Sequence, residues 1–498
     1  MKQNNDLGDL VPLGETRKRF SRSRREFLQA AGGGFGGMAL SALMARESRG
    51  AQGQLAGHFP ARAKRVIQIF CPGGWSQVDT FDYKPELERR AGQPFDPNGE
   101  LQFFASKPGN CLPSQWKFRQ HGESGRWVSD LFPKLARHVD DLAFVYSMKS
   151  TTALHGPGCF MMNTGQTLPG FPSMGSWVTY GLGSESENLP AFVVLPDPRG
   201  LPPGGVINWG AGFLPAVHQA TAIDTTNPEE PIADLFPPKA QEKVTPEADA
   251  AGLGFLQRLN RLHRKERSGN SELDARISAY EMAARLQLSA PEVTDLSGES
   301  ELTRKLYALD HSEIGPFGRQ CLLARRLAER GVRFVQIYCG AENTTAKEIR
   351  PNWDSHEDIV RDHGYWGAVL DTGASALLTD LKARGMLEDT LVICTSEFGR
   401  QPAAQARKND PDSMGRDHNA GAFTTWLAGG GIKPGIGYGA TDELGFQSVE
   451  NIVHSWELHA TALHLLGIDH ERLTWYHNGL EQRLTGFEGH GVIRDLLA

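Results

Sequence analysis

Thr390-Leu391-Val392-Ile393-Cys394-Thr395 runs directly into Ser396-Glu397-Phe398-Gly399-Arg400. A short, nearly all-apolar run stops at a carboxylate, a glycine and a guanidinium. Such a run reads as a strand buried on both faces. The pattern recurs along the chain. Arg65-Val66-Ile67-Gln68-Ile69-Phe70 ends in Cys71-Pro72-Gly73-Gly74. Residues 142–146, 192–195, 333–338 and 423–427 read as further strands. Helical patterns lie between them, at 131–139, in a short helix ending over 161–165, at 319–330, 365–384 and 457–466. This alternation predicts an α/β fold, a mostly parallel central sheet with helices on both faces.

Composition narrows the function classes. The chain has 498 residues, 39% hydrophobic and 22% charged, as suits a soluble globular protein. A formal net charge of -7 argues against a general nucleic-acid binder. Six cysteines occur without a Cys-x-x-Cys pair, so no disulfide framework is expected. Ser23-Arg24-Arg25-Glu26-Phe27-Leu28-Gln29 looks like a twin-arginine export motif. The Gly/Ala-rich stretch after it, to Ala45, is too short and too weakly apolar to span a bilayer. Residues 1–50 are therefore expected to be a signal and short leader, and the protein periplasmic or exported after folding. Residues 60–498 read as one domain. It carries loop insertions around 92–128 and 196–250 and a helical insertion at 251–331. No transmembrane span is expected in the mature chain.

In an open α/β sheet, ligands bind beyond the carboxyl ends of the strands. Polar clusters fall there. Gly73-Gly74-Trp75-Ser76-Gln77-Val78-Asp79 follows the first strand, and Trp353-Asp354-Ser355-His356 lies beyond the strand at 333–338. Glu397 and Arg400 follow the strand at 390–395, and Arg416-Asp417-His418-Asn419 precedes the one at 423. Carboxylates supply anionic oxygen and neutral imidazoles suit zinc-like ions, so these are the ingredients of a metal site. A nearby arginine suits a phosphate or sulfate oxygen pair.

These segments, with Thr395-Ser396-Glu397-Phe398-Gly399-Arg400 and His459-Ala460-Thr461-Ala462-Leu463-His464-Leu465-Leu466-Gly467, resemble the DUF1501 family of twin-arginine-exported proteins. More distantly, they resemble the alkaline phosphatase/sulfatase superfamily. The resemblance covers roughly residues 64–490 and implies an alkaline-phosphatase-like fold. It implies that Asp79, Asp354, His356, Glu397 and His418 bind one or two divalent ions, Zn, Mn or Ca. Two departures stand out. Phe398 replaces an expected ligand. His155-Gly156-Pro157 begins the stretch where the superfamily carries its Cys, Ser or Thr nucleophile, and Thr164-Gly165 ends it at the expected spacing. His155 is thus a catalytic group or an additional ligand, with Arg400 or Arg416 holding the oxyanion.

The residues also admit plainer roles. Asp79 is placed to cap a turn, Glu397 to pair with Arg400, and Asp354 and His356 to form a solvated loop pair. His459 and His464 read as packing histidines, and Trp75, Trp353 and Trp366 as packing or as the border of a sugar cleft. The leading expectation is an exported metal-dependent hydrolase of phosphate or sulfate esters, using activated water or His155 as nucleophile. Its partner would be a small-molecule or glycan ester. The alternative is a non-catalytic envelope binding protein on the same fold.

Overall fold

Successive side chains of β1 (Arg65–Phe70) point to opposite sides of the sheet. Ile67 and Ile69 enter one core with the helices α3 (Gly315–Glu329) and α4 (Ile359–Ala383). Val66 and Phe70 enter a second core with α1 (His155–Thr164), α2 (Met174–Leu182) and α5 (Ser455–Leu465). This two-sided burial is why the strands lack polar alternation. The computed structural model describes residues 57–101, 108–227, 292–342, 352–405 and 414–498, with scattered positions between 232 and 263. The chain divides into Met1–Gly53 and Gln54–Ala498, and every described residue belongs to the second unit. The export motif and most of 251–291 lie outside the described residues.

The sheet has eight strands: β1, β2 (Leu142–Met148), β3 (Phe192–Leu195), β4 (Thr221–Ala222), β5 (Phe334–Tyr338), β6 (Thr390–Thr395), β7 (Phe423–Ala428) and β8 (Ile436–Tyr438). Their order is β8-β2-β7-β6-β1-β5-β3-β4. Every pairing is parallel except those of β7, which runs antiparallel to β2 and β6. The sheet is therefore mostly parallel, as expected. No described helix is long and apolar enough to cross a membrane. All six cysteines are buried and free.

Local chemistry moved some boundaries. Asp358 accepts hydrogen bonds from the Val360 and Arg361 amides, so α4 starts ahead of the expected residue 365. The helix expected at 131–139 is a 3-10 helix at Leu135–Asp141. Pro133 sits inside the expected span, where a ring in place of an N–H interrupts helical bonding. The region 92–128 holds short strands at Pro108–Cys111, Phe118–His121 and Arg126–Ser129. Trp75, Trp353 and Trp366 are fully buried, so they pack the core and border no cleft.

His459 is a core residue, as its apolar neighbours suggested, and is only 1% exposed. Its Nε2 donates to the Met162 carbonyl at 2.9 Å, while its buried Nδ1 has no partner. Burial pushes its pKa down to about 4 from 6.5. Between those values the unfolded chain binds more protons than the folded one, so stability falls as pH falls. Replacing His459 by Gln should therefore shrink the stability lost between pH 7 and pH 5 by about 2 kcal/mol. Urea unfolding of both proteins at the two pH values checks this, and an identical loss in both would refute it.

Candidate metal centre

The loops at the carboxyl ends of β1, β5 and β6 meet the start of α1 and the segment before β7. Gly73 makes the first approach possible. Its φ is 109°, and a Cβ there would lie 2.4 Å from the Asp354 amide nitrogen. Gly399 and Arg400 pair antiparallel with Asn419 and His418, which brings the β6 loop beside the segment before β7.

One donor atom from each of His155, Asp354, His356 and His418 lies within 4.8 Å of the others. Asp354 Oδ1 is central. It lies 3.2 Å from His155 Nε2, 2.8 Å from His356 Nε2 and 3.2 Å from His418 Nε2. His356 Nε2 and His418 Nε2 are 3.0 Å apart.

The outer ring nitrogens decide what those inner ones can do. His155 Nδ1 lies 2.7 Å from Glu397 Oε1, His356 Nδ1 2.7 Å from Gln405 Oε1, and His418 Nδ1 2.7 Å from the Ala153 carbonyl. All three partners accept, so we assign each Nδ1 its proton. A neutral imidazole then presents a bare Nε2 lone pair. Three lone pairs and one carboxylate oxygen thus converge, an arrangement that calls for a cation. His155 Nε2 is buried and makes no hydrogen bond despite its 3.2 Å separation from Asp354, so it is aimed but unsatisfied. Outer-shell acceptors that fix the tautomer are the usual support for metal-binding histidines. A tetrahedral zinc shell with bonds of about 2.0–2.1 Å spaces its donors about 3.3 Å apart, close to the four separations above, and all the donors lie within 4.8 Å of one another. The residues fit a divalent transition ion. Three imidazoles suit zinc better than manganese or calcium, which favour oxygen.

Burial opposes a charge on Asp354, but Arg400 and the three histidines outweigh it and hold its carboxyl well below the usual range. Burial would also lower the His155 pKa, yet the Asp354 and Glu397 carboxylates overcome that and raise it to about 9. In the absence of a cation, the same carboxylates favour a proton on the His155 ring. Burial, then Arg400, pushes His418 down to about 4.

Of the residues expected to bind metal, Asp354, His356 and His418 come together, and His155 joins them. Glu397 sits one step behind. It accepts from the Gly73 amide at 2.8 Å and from Ser396 Oγ at 3.0 Å, and it orients His155. Asp79 faces elsewhere. Its carboxylate accepts from Ser76 Oγ at 2.5 Å and from Arg416 Nε and Nη2 at 2.7 and 3.2 Å. Asp79 and Arg416 are both fully buried. The expectation that Asp79 binds metal and Arg416 holds an oxyanion gives way to a buried ion pair between them. Arg400 is likewise 0% exposed, and its head group is held by protein oxygens rather than open to an oxyanion. Gln405 and the Ala153 carbonyl went unnoticed in the sequence, because neither residue type signals a role behind a ligand. His363 was also missed. It is fully buried, and its Nε2 accepts the Ser76 amide at 2.9 Å. A lone histidine on the apolar stripe of α4 was its only signal.

Residues 63–497 match the family described as "Protein of unknown function (DUF1501)". The chain belongs to the DUF1501 family. No curated protein matches it. Solved structures with partial similarity include the lipoteichoic acid synthase LtaP from Listeria monocytogenes, at 9% identity and a TM-score of 0.39, covering 86% of this chain and 76% of that one. A sulfatase from Pseudoalteromonas sp. overlaps at 12% identity and a TM-score of 0.31, covering 93% and 75%. Alkaline phosphatase from the Antarctic bacterium TAB5 overlaps at 11% identity and a TM-score of 0.29, covering 76% and 94%.

The Asp79–Arg416 pair yields a stability prediction. Removing one partner strands the other charge in the core, at a cost of roughly 3–5 kcal/mol. Asp79→Asn should lower the unfolding free energy by that order in urea titrations. A loss under about 1 kcal/mol would mean that the pair is not buried as described.

Proposed function

We propose that this DUF1501 protein is an exported, metal-dependent hydrolase of phosphate or sulfate esters. The observation that carries the reading is the convergence of three imidazole Nε2 atoms on Asp354 Oδ1. The resemblance of the strand-end motifs to the alkaline phosphatase/sulfatase superfamily supplies the reaction class. The motif at residues 23–29 supports export.

His155, Asp354, His356 and His418 would hold the ion. When bound, it supplies Lewis acidity toward the ester and makes water nucleophilic at neutral pH. The chain's own residues set the frame. Glu397, Gln405 and the Ala153 carbonyl keep each Nδ1 protonated and each ring in place. Phe398 stands 5.1 Å from the His155 ring and 4.8 Å from the His418 ring, keeping water off one side. The side chains of His155, Asp354 and His356 remain 23%, 16% and 17% exposed, which leaves a route for an ester and a water. With its Nε2 in the donor cluster, His155 acts as a ligand in this reading and the attack falls to water.

A second reading has an observation of its own. Four protein donors can close a tetrahedral shell, as structural zinc sites do. The ion would then be structural, and the protein a non-catalytic binder at the cell envelope.

Metal content and turnover together separate the two. The purified protein should carry Zn or Mn near stoichiometry and lose it in the Asp354→Ala/His418→Ala variant. It should also hydrolyse some members of a panel of aryl phosphate and sulfate mono- and diesters. Bound metal with no turnover across the panel would favour the binding protein. No metal in a folded wild type would sink both forms of the metal reading.

A further inference from the structure

We infer that this centre takes one divalent ion, and that the Arg400 guanidinium stands beside it as a fixed second positive charge. The inference rests on the metal-centre reading above and settles what that reading leaves open, the number of ions. A second ion needs anionic donors of its own. Among the described residues, the buried carboxylates beside the cluster are already engaged. Asp79 holds Arg416 and Ser76. Glu397 holds the Gly73 amide, Ser396 and His155. Asp417 Oδ1 accepts the His418 amide at 2.8 Å.

Arg400 fills the remaining oxygen cage. Nε donates to the Gly74 carbonyl at 2.8 Å and Nη1 to the Arg416 carbonyl at 3.0 Å. Nη2 donates to the Gly73 carbonyl and, at 2.5 Å, to Asp354 Oδ1. Carbonyls plus a shared carboxylate would suit a hard cation, and here they surround a guanidinium. A guanidinium stays charged at any working pH. Asp354 Oδ1 is therefore shared between Arg400 and the candidate ion position. At such separations a fixed positive charge repels a further cation strongly, even at an effective dielectric constant of about 20. It also weakens the hold on the first ion, because the carboxylate it shares is partly neutralised.

The full-length protein, stripped of metal and titrated with Mn2+, tests the count. Calorimetry and elemental analysis should give one Mn2+ per chain, and the electron paramagnetic resonance spectrum should show an isolated ion without coupling. Two coupled ions per chain overturn the inference and leave the metal-centre reading standing. No ion at all overturns that reading and this inference with it. Arg400→Met and Arg400→Lys test the charge. Both lose the forked contacts, and only the lysine keeps a cation. The methionine variant should bind Mn2+ about tenfold more tightly than the lysine variant. Equal affinities in the two would remove Arg400 from the electrostatics of the site. The wild-type count needs neither variant to fold.

Discussion

A guanidinium with no exposure must find acceptors for its donors inside the protein, and Arg400 does so by drawing loops together. The acceptors belong to the β1 loop, to the Asp354 loop and to the segment leading to His418. Its backbone amide makes a further tie, donating to Gln77 Oε1 at 3.0 Å. An unsatisfied buried charge is costly, so these loops are held in register by the demand of one side chain. The geometry of the donor cluster follows from that register. Asp354 lies where three imidazoles can reach it because Arg400 fixes its carboxylate, and Gly73 allows the Asp354 loop to approach the β1 turn. The Asp79–Arg416 pair repeats the device one layer deeper.

The sheet was legible because its signal is local. Strands buried on both faces show it in consecutive residues, and the runs at 65–70, 192–195 and 390–395 matched residue for residue. The antiparallel course of β7 was not legible, since a buried strand reads alike in either direction. The 3-10 helix at Leu135–Asp141 carried a warning in Pro133 that an apolar pattern alone overrides.

The candidate site was legible as a set of strand ends and not as a set of partners. Sequence places Asp79, Asp354, Glu397, Arg400 and Arg416 at the correct end of the sheet. It does not say which carboxylate meets which guanidinium. Asp79 and Asp354 look equivalent in the sequence, and each is near a strand end and an arginine. The distinction is one of depth. Asp79 is fully buried, where a charge-assisted fork with Arg416 satisfies it. Asp354 keeps a 16% exposed side chain, where imidazoles from its own loop and two other segments can gather. Burial depth depends on the packing of α4 and the tryptophans beneath, which no short motif encodes.

The two departures from the superfamily pattern are in contact with each other. Phe398 removes a donor expected after β6, and His155 adds one where a nucleophile is expected. Their rings are 5.1 Å apart. Phe398 is also 4.8 Å from the His418 ring, so it packs against both imidazoles, which themselves lie 4.4 Å apart. With phenylalanine there, the ring supports His155 and His418 by packing, and the number of donors around Asp354 is kept. Read singly, each departure suggests a degenerate site. Taken together they give a four-donor cluster with an apolar wall, and a wall of low polarity strengthens the attraction between such a cluster and a cation.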